Sequence, residues 1–496
     1  MTQEPRTYKL AAADRTGVAF GLSYRALGLL GVGVVLGIIS VSRGEPVLAA
    51  VVVGLAVAAV VARVDGAPAL EAVPIRVSWW ARRRHRAWMA PLPLAVCEAA
   101  APPWPPALDG QVILAVEPST HGVSGLDSMG VVHDRRAGTV SASLSIAGQH
   151  FGLVDTADAE AVLARWGEAL AGFVRERGPV VSAKVSEWAA PAGLAAHHAF
   201  IAAHCHDPEA SPARAYRELV ADVGPLATYH ETLVTVSVGI GRTRRAGADL
   251  LRSALITLAG EMRLFADRLA SANLAVSAPL SASALARATR SRLDPTDLAT
   301  ADARQRSLGQ DVGVVQPAHA GPLATEATWS AWRVDGSWHR AFYVSDWPRL
   351  GLPAEWMSGL LGWAGSVRAM TLVVEPIAPR ASREAVRTAS TRIESDQTHR
   401  ARQGFRIGAE SRRAGADVAK REEELIAGYP EFSYAGIFSV SAPSPEALDR
   451  AGEDVVAVAA AHGLELRALH GRHDSGFAVG LPLGRGLARP GSARLR

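Results

Sequence analysis

Residues 26–62 constrain this chain more than any other stretch. Two runs of 17 residues, 26–42 and 46–62, carry no charge except at the turn between them, and they are bounded by Arg25, Arg43, Glu45 and Arg63. At roughly 1.5 Å of rise per residue, each makes a helix of about 25 Å, the short end of what spans a bilayer. One such run alone suits a buried core helix. Two in tandem, joined only by Arg43-Gly44-Glu45-Pro46, predict a transmembrane hairpin. The residues before it are mostly polar and no small-residue cleavage site follows the first run, so a cleavable signal peptide is not expected. Arg6, Lys9, Arg15 and Arg25 precede the hairpin, and Arg63, Arg76, Arg82, Arg83, Arg84 and Arg86 follow it. The turn has Arg43 alone. That asymmetry predicts a two-pass protein of the cell membrane with both termini and the main domain cytoplasmic. Gly33 and Gly37, four apart, are the candidate residues for close packing of the two helices.

After the hairpin the chain turns basic and aromatic. Trp79, Trp80, Arg82, Arg83, Arg84, Arg86 and Trp88 predict a basic interfacial helix over 63–90 resting on anionic headgroups. An ordinary solvated basic linker is the alternative. Six prolines between Pro91 and Pro106 mark 91–109 as a linker.

Residues 110–483 interleave strand and helix signals. Strands are expected at 111–117, 150–154, 180–188, 231–239, 369–375 and 432–441. Hairpins are expected at 130–146, turning on Arg136-Ala137-Gly138, and at 329–346, turning on Asp335-Gly336. Helices are expected at 155–177, 194–206, 212–223, 246–272, 281–293, 353–363 and 444–462. A long charged helical stretch covers 380–426, broken near Gly404 or Gly415. Two strands, 464–469 and 476–481, close the domain. A sub-boundary falls near 296–328, and 484–496 reads as a disordered tail. The fold class is therefore a membrane-anchored α+β protein: an N-terminal two-helix transmembrane hairpin, then a cytoplasmic mixed α/β domain with hairpins and long helices.

The chemistry is bounded mainly by what is missing. Of 52 basic residues only Lys9, Lys184 and Lys420 are lysines, and none lies between a Gly and a Ser or Thr. A phosphate-gripping P-loop needs that arrangement, so the chain has no such ATPase site. Cys97 and Cys205, outside any CxxC, give no disulfide framework and no zinc ribbon. The cluster His197, His198, His204, His206 lacks metal-ligand spacing. His230-Glu231 starts like a zinc-protease motif, but Val234 stands where the second His is needed. Gly239 to Gly247 is a basic glycine-rich loop without dinucleotide spacing. Half of the 12 tryptophans fall between Trp329 and Trp363. Trp332, Arg333, Trp338 and Arg340 are the candidate nucleic-acid or partner contacts, with core packing as the bland reading because Trp332, Val334, Trp338 and Phe342 alternate. Residues 380–426 carry 11 basic and eight acidic residues, which suits a solvated or inter-subunit helix better than a DNA-binding stripe. No catalytic, cofactor or metal residue stands out, so a non-enzymatic assembly protein without cofactor is expected.

The order of segments resembles a known family. Pro5-Arg6-Thr7-Tyr8, the hairpin and the Trp/Arg-rich segment are similar to the small two-helix inner-membrane subunit (PrgI-like) of actinobacterial type IV secretion and conjugation machines. Residues 110–485 look like the N-terminal half of the conjugation ATPase. The features are the helix over 159–174, the strand over 231–239 before a long helix, Arg292-Leu293-Asp294-Pro295, Thr371-Leu372-Val373-Val374-Glu375-Pro376 before the charged helix, and Phe477 to Gly484. No P-loop domain follows. The resemblance implies a non-catalytic membrane component that docks a separate P-loop ATPase, with the bilayer, the ATPase and other machine subunits as partners, as an oligomer within an assembly. A membrane-anchored accessory subunit of a type VII secretion machine and a membrane-tethered nucleic-acid-binding protein are the alternatives.

Overall fold

The structure is a computed structural model, and it describes residues 24–64, 67–91, 103–116, 129–148, 155–191, 194–224, 227–243, 249–272, 274–297, 315–348, 350–402 and 409–487. Helices α1 (Tyr24–Ser42) and α2 (Pro46–Val61) form an antiparallel hairpin. Gly44, at φ +81°, makes the turn, and Pro46 opens α2 where a missing N–H costs nothing. Gly33 and Gly37 do sit at the helix contact: a Cβ on Gly33 would lie 2.6 Å from Ala56, and one on Gly37 would lie 2.9 Å from Val53.

The membrane reading of this hairpin is corrected. Among the described residues no helix is long and apolar enough to cross a membrane. The 16 residues of α2 rise only about 24 Å against a hydrocarbon core of about 30 Å. In α1, Tyr24 and Arg25 take up the first two of 19 positions. The transmembrane part of the expected fold class and the two-pass membrane localisation fall with it. The hairpin remains an apolar pair whose outward residues, Val35, Ile38 and Leu55 among them, are exposed.

Next come β1 (Arg63–Val64), β2 (Ala67–Pro68), α3 (Ala69–Ala81) and β3 (Ala87–Met89). Among the described residues, the remaining strands and α-helices form one eleven-element unit twice. The first copy is β4 (Gln111–Val116), β5 (Met129–Asp134), β6 (Thr139–Ala147), α4 (Thr156–Ala171), β7 (Val180–Pro191), α5 (Ala195–His204), α6 (Ser211–Val223), β8 (Thr228–Gly239), α7 (Leu250–Ser271), β9 (Ala275–Pro279) and α8 (Ala282–Leu293). The second is β10 (Ala324–Ala327), β11 (Trp332–Val334), β12 (Ser337–Asp346), α9 (Ser358–Leu361), β13 (Val367–Pro376), α10 (Pro379–Arg402), α11 (Ala409–Ile426), β14 (Phe432–Ala442), α12 (Pro445–Ala461), β15 (Glu465–Ala468) and α13 (His473–Gly480).

All the strands from β3 onward join one antiparallel sheet of 13, ordered β3-β10-β11-β12-β14-β13-β7-β8-β6-β5-β4, with β15 beside β12 and β9 beside β6. Each strand therefore has its counterpart at the same place in the other half. The equivalent strands β7 and β13 meet antiparallel at the centre, with Ser186 opposite Thr371. A pseudo-twofold axis passes between them.

Strand alternation sorts side chains to two faces. On one, Val140, Ala142, Leu144, Val234 and Val236 meet Leu255, Leu258, Met262 and Phe265 of α7. In the second half, Phe342, Phe438 and Val440 meet Leu448, Val455 and Ala459 of α12. The other face carries α8 and α13. Its core mixes the two halves: Ile113 and Val132, Leu285 and Leu293, Trp332 and Val334, Phe477 and Leu481.

Several local expectations change. The basic segment 63–90 is not one interfacial helix. It leaves helix at Ala81, makes a 3-10 turn over Arg82–His85, and becomes β3, paired to β10. Of the residues 476–481, read as a strand, 476–480 lie in α13, because a short apolar run does not by itself distinguish a buried strand from a buried helix. Trp104, Ala107 and Leu108 pack in the core beside α8, so the C-terminal end of the expected linker is not a spacer. Residues 484–487 of the expected tail are ordered against the sheet. The expected strand at 150–154, the linker residues 92–102 and the tail residues 488–496 lie outside the described residues.

Candidate functional site

The Arg-Leu-Asp-Pro segment forms the densest polar junction. Ser281 caps α8, its hydroxyl accepting from the Ala284 N–H at 3.2 Å. At the other end of α8, Arg290 pairs with Asp335 at 2.6 Å. Arg292 is 2 % exposed. It donates to Glu231 at 2.8 Å and to the Ala288 carbonyl at 2.9 Å, and it lies over Trp188. Burial pulls its pKa below the ordinary guanidinium value, and Glu231 opposes that. Asp294 accepts from Thr296 at 2.6 Å, from Ser337 at 2.7 Å and from the Gly336 N–H at 3.3 Å. The last residues of the first unit therefore cap the β11–β12 turn of the second. His339, buried and held neutral at a pKa lowered to about 4 by desolvation, donates from Nε2 to the Leu293 carbonyl at 2.8 Å. Its Nδ1 then accepts from Ser441 at 2.7 Å. This tautomer follows from the carbonyl, which only accepts.

The second unit returns the same contact. From the last turn of α13 onward, the backbone of 479–485 crosses β6, β8 and β7 over a floor of hydroxyls. Ser237 donates to the Gly484 carbonyl at 3.3 Å and accepts from Ser141 at 2.8 Å. Lys184, 1 % exposed, donates to the carbonyls of Val479 at 3.0 Å, Leu481 at 2.9 Å and Arg485 at 3.3 Å. Burial brings its pKa down to about 7; Arg485 lowers it further and Asp134 works the other way. Arg485 itself reaches Asp134 at 3.4 Å, at the β5–β6 turn. Gly484 adopts φ +70° directly over Ser141, where a Cβ would overlap the hydroxyl. Sequence reading tested Lys184 only as a phosphate ligand. The available signal was a lone lysine in the middle of a strand pattern whose one other charge is Glu187.

The two Trp/Arg groups, some 250 residues apart in the chain, meet at one end of the sheet. Trp79 packs edge-on to Trp329 at 5.8 Å, with Arg86 over its ring at 3.8 Å. Arg82 donates to the Gly471 carbonyl at 2.8 Å and pairs with Asp474. Trp88 lies opposite Thr325 in the β3–β10 ladder. Trp80 is exposed under Arg83, and Arg84 is exposed beside them. Of the four candidate strand-binding residues, Trp332 is buried against Phe477. Trp338 is half-buried under Arg333. Arg340 is tied to Asp449 at 2.6 Å and to the Ser330 carbonyl at 3.0 Å. These four do not form an open stacking platform.

Among the described residues no group of three or more His, Cys, Asp or Glu is arranged to hold a metal ion. His204 bonds its own helix at Phe200, and His197 bonds Tyr216. His230 bonds Glu187 at 2.6 Å and Thr228 at 3.0 Å. Of the glycine-rich loop, residues 244–247 lie outside the described residues. A cavity between α13 and β13, lined by Trp188, Arg292, Ala369, Ser439 and Phe477, has about 240 Å³ of atom-free space including its mouth.

Each unit also sends a two-helix arm outward between its central strands. In the first, α6 buries no residue, and Tyr216, Leu219 and Val223 are exposed along it. In the second, α10 and α11 pack mainly on each other, Ile393 and Gln397 lying over Gly415. The base of that arm is pinned by Ser382 to Glu431 and by the Arg380 N–H to Glu176 at 2.9 Å.

No family model matches the chain, and no curated protein matches it. The likeness to type IV machines thus rests on segment order alone.

Proposed function

We propose that this chain is a non-catalytic adaptor of a type IV secretion or conjugation-like machine that docks a separate P-loop ATPase. The observation that carries the reading is the α10–α11 arm. Its 24-residue helix α10 extends about 36 Å, and its balanced charges face outward along most of its length. Beyond Ser382 and Val386 at its base the helix pair has little apolar seam, and such a surface suits a partner that reads charge. The buried ionisable groups support the same reading. Lys184, Arg292, Asp294 and His339 are each occupied by structural bonds, and no lysine lies in a P-loop.

The test is affinity purification of the full chain from its host, beside a variant lacking residues 384–424. The full chain recovers a P-loop ATPase; the arm-less variant, melting at the same temperature, does not. Recovery of type VII secretion components, or of no ATPase from the full chain, overturns the reading. Purified protein should also lack ATP hydrolysis above that of a mock preparation.

A further inference from the structure

The internal duplication exposes an asymmetry at the two outer strands. β4 and β10 are equivalent. The outward edge of β10 is covered by β3, which belongs to the N-terminal segment and not to the repeated unit. The Ala90 N–H to Leu323 and Ala327 N–H to Arg86 bonds set the phase of that ladder. Arg86, Trp88 and Ala90 therefore bond inward, and Ala87 and Met89 turn their N–H and C=O groups outward. At β4 the Arg135 N–H to Gly110 bond sets the phase. Val112, Leu114 and Val116 bond β5, while Ile113 and Ala115 turn outward. Among the described residues no strand pairs with the outward edge of β4 or of β3. Open edges are usually blunted by charge, proline or a bulge. Gln111-Val-Ile-Leu-Ala-Val116 has none of these, and its pairing with β5 is regular. On β3, Met89 is 73 % exposed.

We infer that copies of this chain associate head to tail, the outward edge of β4 taking the outward edge of β3 from the next copy as an added strand. The occupant is named by the fold itself. β10 already accepts β3 through its inner edge within one chain, and β4 is β10's counterpart. Main-chain bonds supply the contact, as in other strand additions. The two edges differ, so the interface is heterologous and propagates from copy to copy. This inference does not depend on the adaptor reading.

Ala115→Pro and Met89→Pro each remove only an outward N–H, leaving the inward ladder bonds intact. The full chain, measured by light scattering after gel filtration over a dilution series, should give multiples of 52.1 kDa. Each variant alone should run as a monomer with the melting temperature of the parent. Mixed together they should give a 1:1 dimer and nothing larger, because each keeps one working edge. A monomeric parent overturns the inference. So does Met89→Pro running as a dimer, which would mean β4 pairs with β4. So do variants that assemble like the parent, which would place the contact elsewhere, for instance at the apolar α1–α2 hairpin.

Discussion

Ser186 on β7 and Thr371 on β13 face each other across the centre of the sheet, their hydroxyl oxygens 2.9 Å apart. The Ser186 hydroxyl donates to the Gly480 carbonyl at 3.2 Å and so accepts from Thr371. These are equivalent positions of the two units, and the pair marks the pseudo-twofold axis. On either side of it the end of one unit is laid over the other: Leu293 and Asp294 on the β11–β12 turn, Gly484 and Arg485 on the β5–β6 hairpin. The halves are therefore not two domains joined by a linker but one sheet closed by exchanged ends, and four expectations follow from that closure.

Asp294→Ala should destabilise the whole sheet. It leaves the hydroxyls of Thr296 and Ser337 and the Gly336 N–H without their shared acceptor in a buried site. A loss of about 3 kcal/mol is expected for a charged, multiply bonded acceptor, and less for Asp294→Asn, which keeps one oxygen. Urea unfolding followed by tryptophan fluorescence measures it; a single transition moving as one supports the closed sheet, and a split transition argues against it.

Lys184 gives stability a pH dependence. The folded amine loses its proton near pH 7, the unfolded one near 10.5. Between those values the unfolded state binds the extra proton, so stability rises with pH, by up to about 1.4 kcal/mol per pH unit for one group. Below pH 7 the term is constant. Lys184→Met should be less stable at neutral pH, since three carbonyls lose their donor. Its stability should lack this rise between pH 7 and 10. Equal slopes for parent and variant in denaturant titrations at several pH values would refute the assignment.

Gly484→Ala and Gly428→Ala separate two costs. Both glycines have positive φ, +70° and +92°, but only Gly484 has a neighbour where the Cβ would go. Gly428→Ala should cost about 1 kcal/mol for the backbone alone. Gly484→Ala should cost at least about 1 kcal/mol more, from overlap with Ser141. Ser141→Ala should recover only a fraction of that second part, because the Ser141 Cβ would still lie 2.4 Å from the new methyl.

Trp79→Ala should loosen the N-terminal segment without unfolding the sheet. Trp79 touches Trp329, and Arg86 stacks on Trp79 and donates to its carbonyl at 2.8 Å. An aromatic pair contributes about 0.5–1.5 kcal/mol beyond the area it buries. Hydrogen exchange should rise at Trp88 and Ala90, which bond β10, and stay unchanged at Val236 in the centre.

Much of the fold was legible locally. The 130–146 hairpin was visible in its alternation and in Gly138, which does sit at φ +64°. Asp335-Gly336 marked the second hairpin, and the helices expected from Ser281 and Ser444 start there, each serine capping its helix. The duplication was not legible, because the halves share topology without sharing residues. Lys184 fills the place that Ala369 takes in the other half, Ser141 the place of His339, and the 16-residue α4 the place of the four-residue α9. The Trp/Arg groups were read as two unrelated surfaces for the same reason: nothing in the spacing of Trp79 and Trp329 says that they touch.

By itself, then, the amino-acid order determined what neighbours in the chain can settle. It determined where helices and strands begin, which turns need positive φ, and that no P-loop is present, since capping, alternation and turn chemistry act over a few residues. The tertiary structure decided everything that depends on residues far apart: that 26–61 makes helices too short to cross a membrane, that the basic segment ends as an edge strand, that 476–480 is helix, and that Lys184, Arg292 and Asp294 hold exchanged ends. Burial and long-range pairing set those outcomes, and no local pattern encodes which distant backbone will arrive to accept a buried lysine's protons.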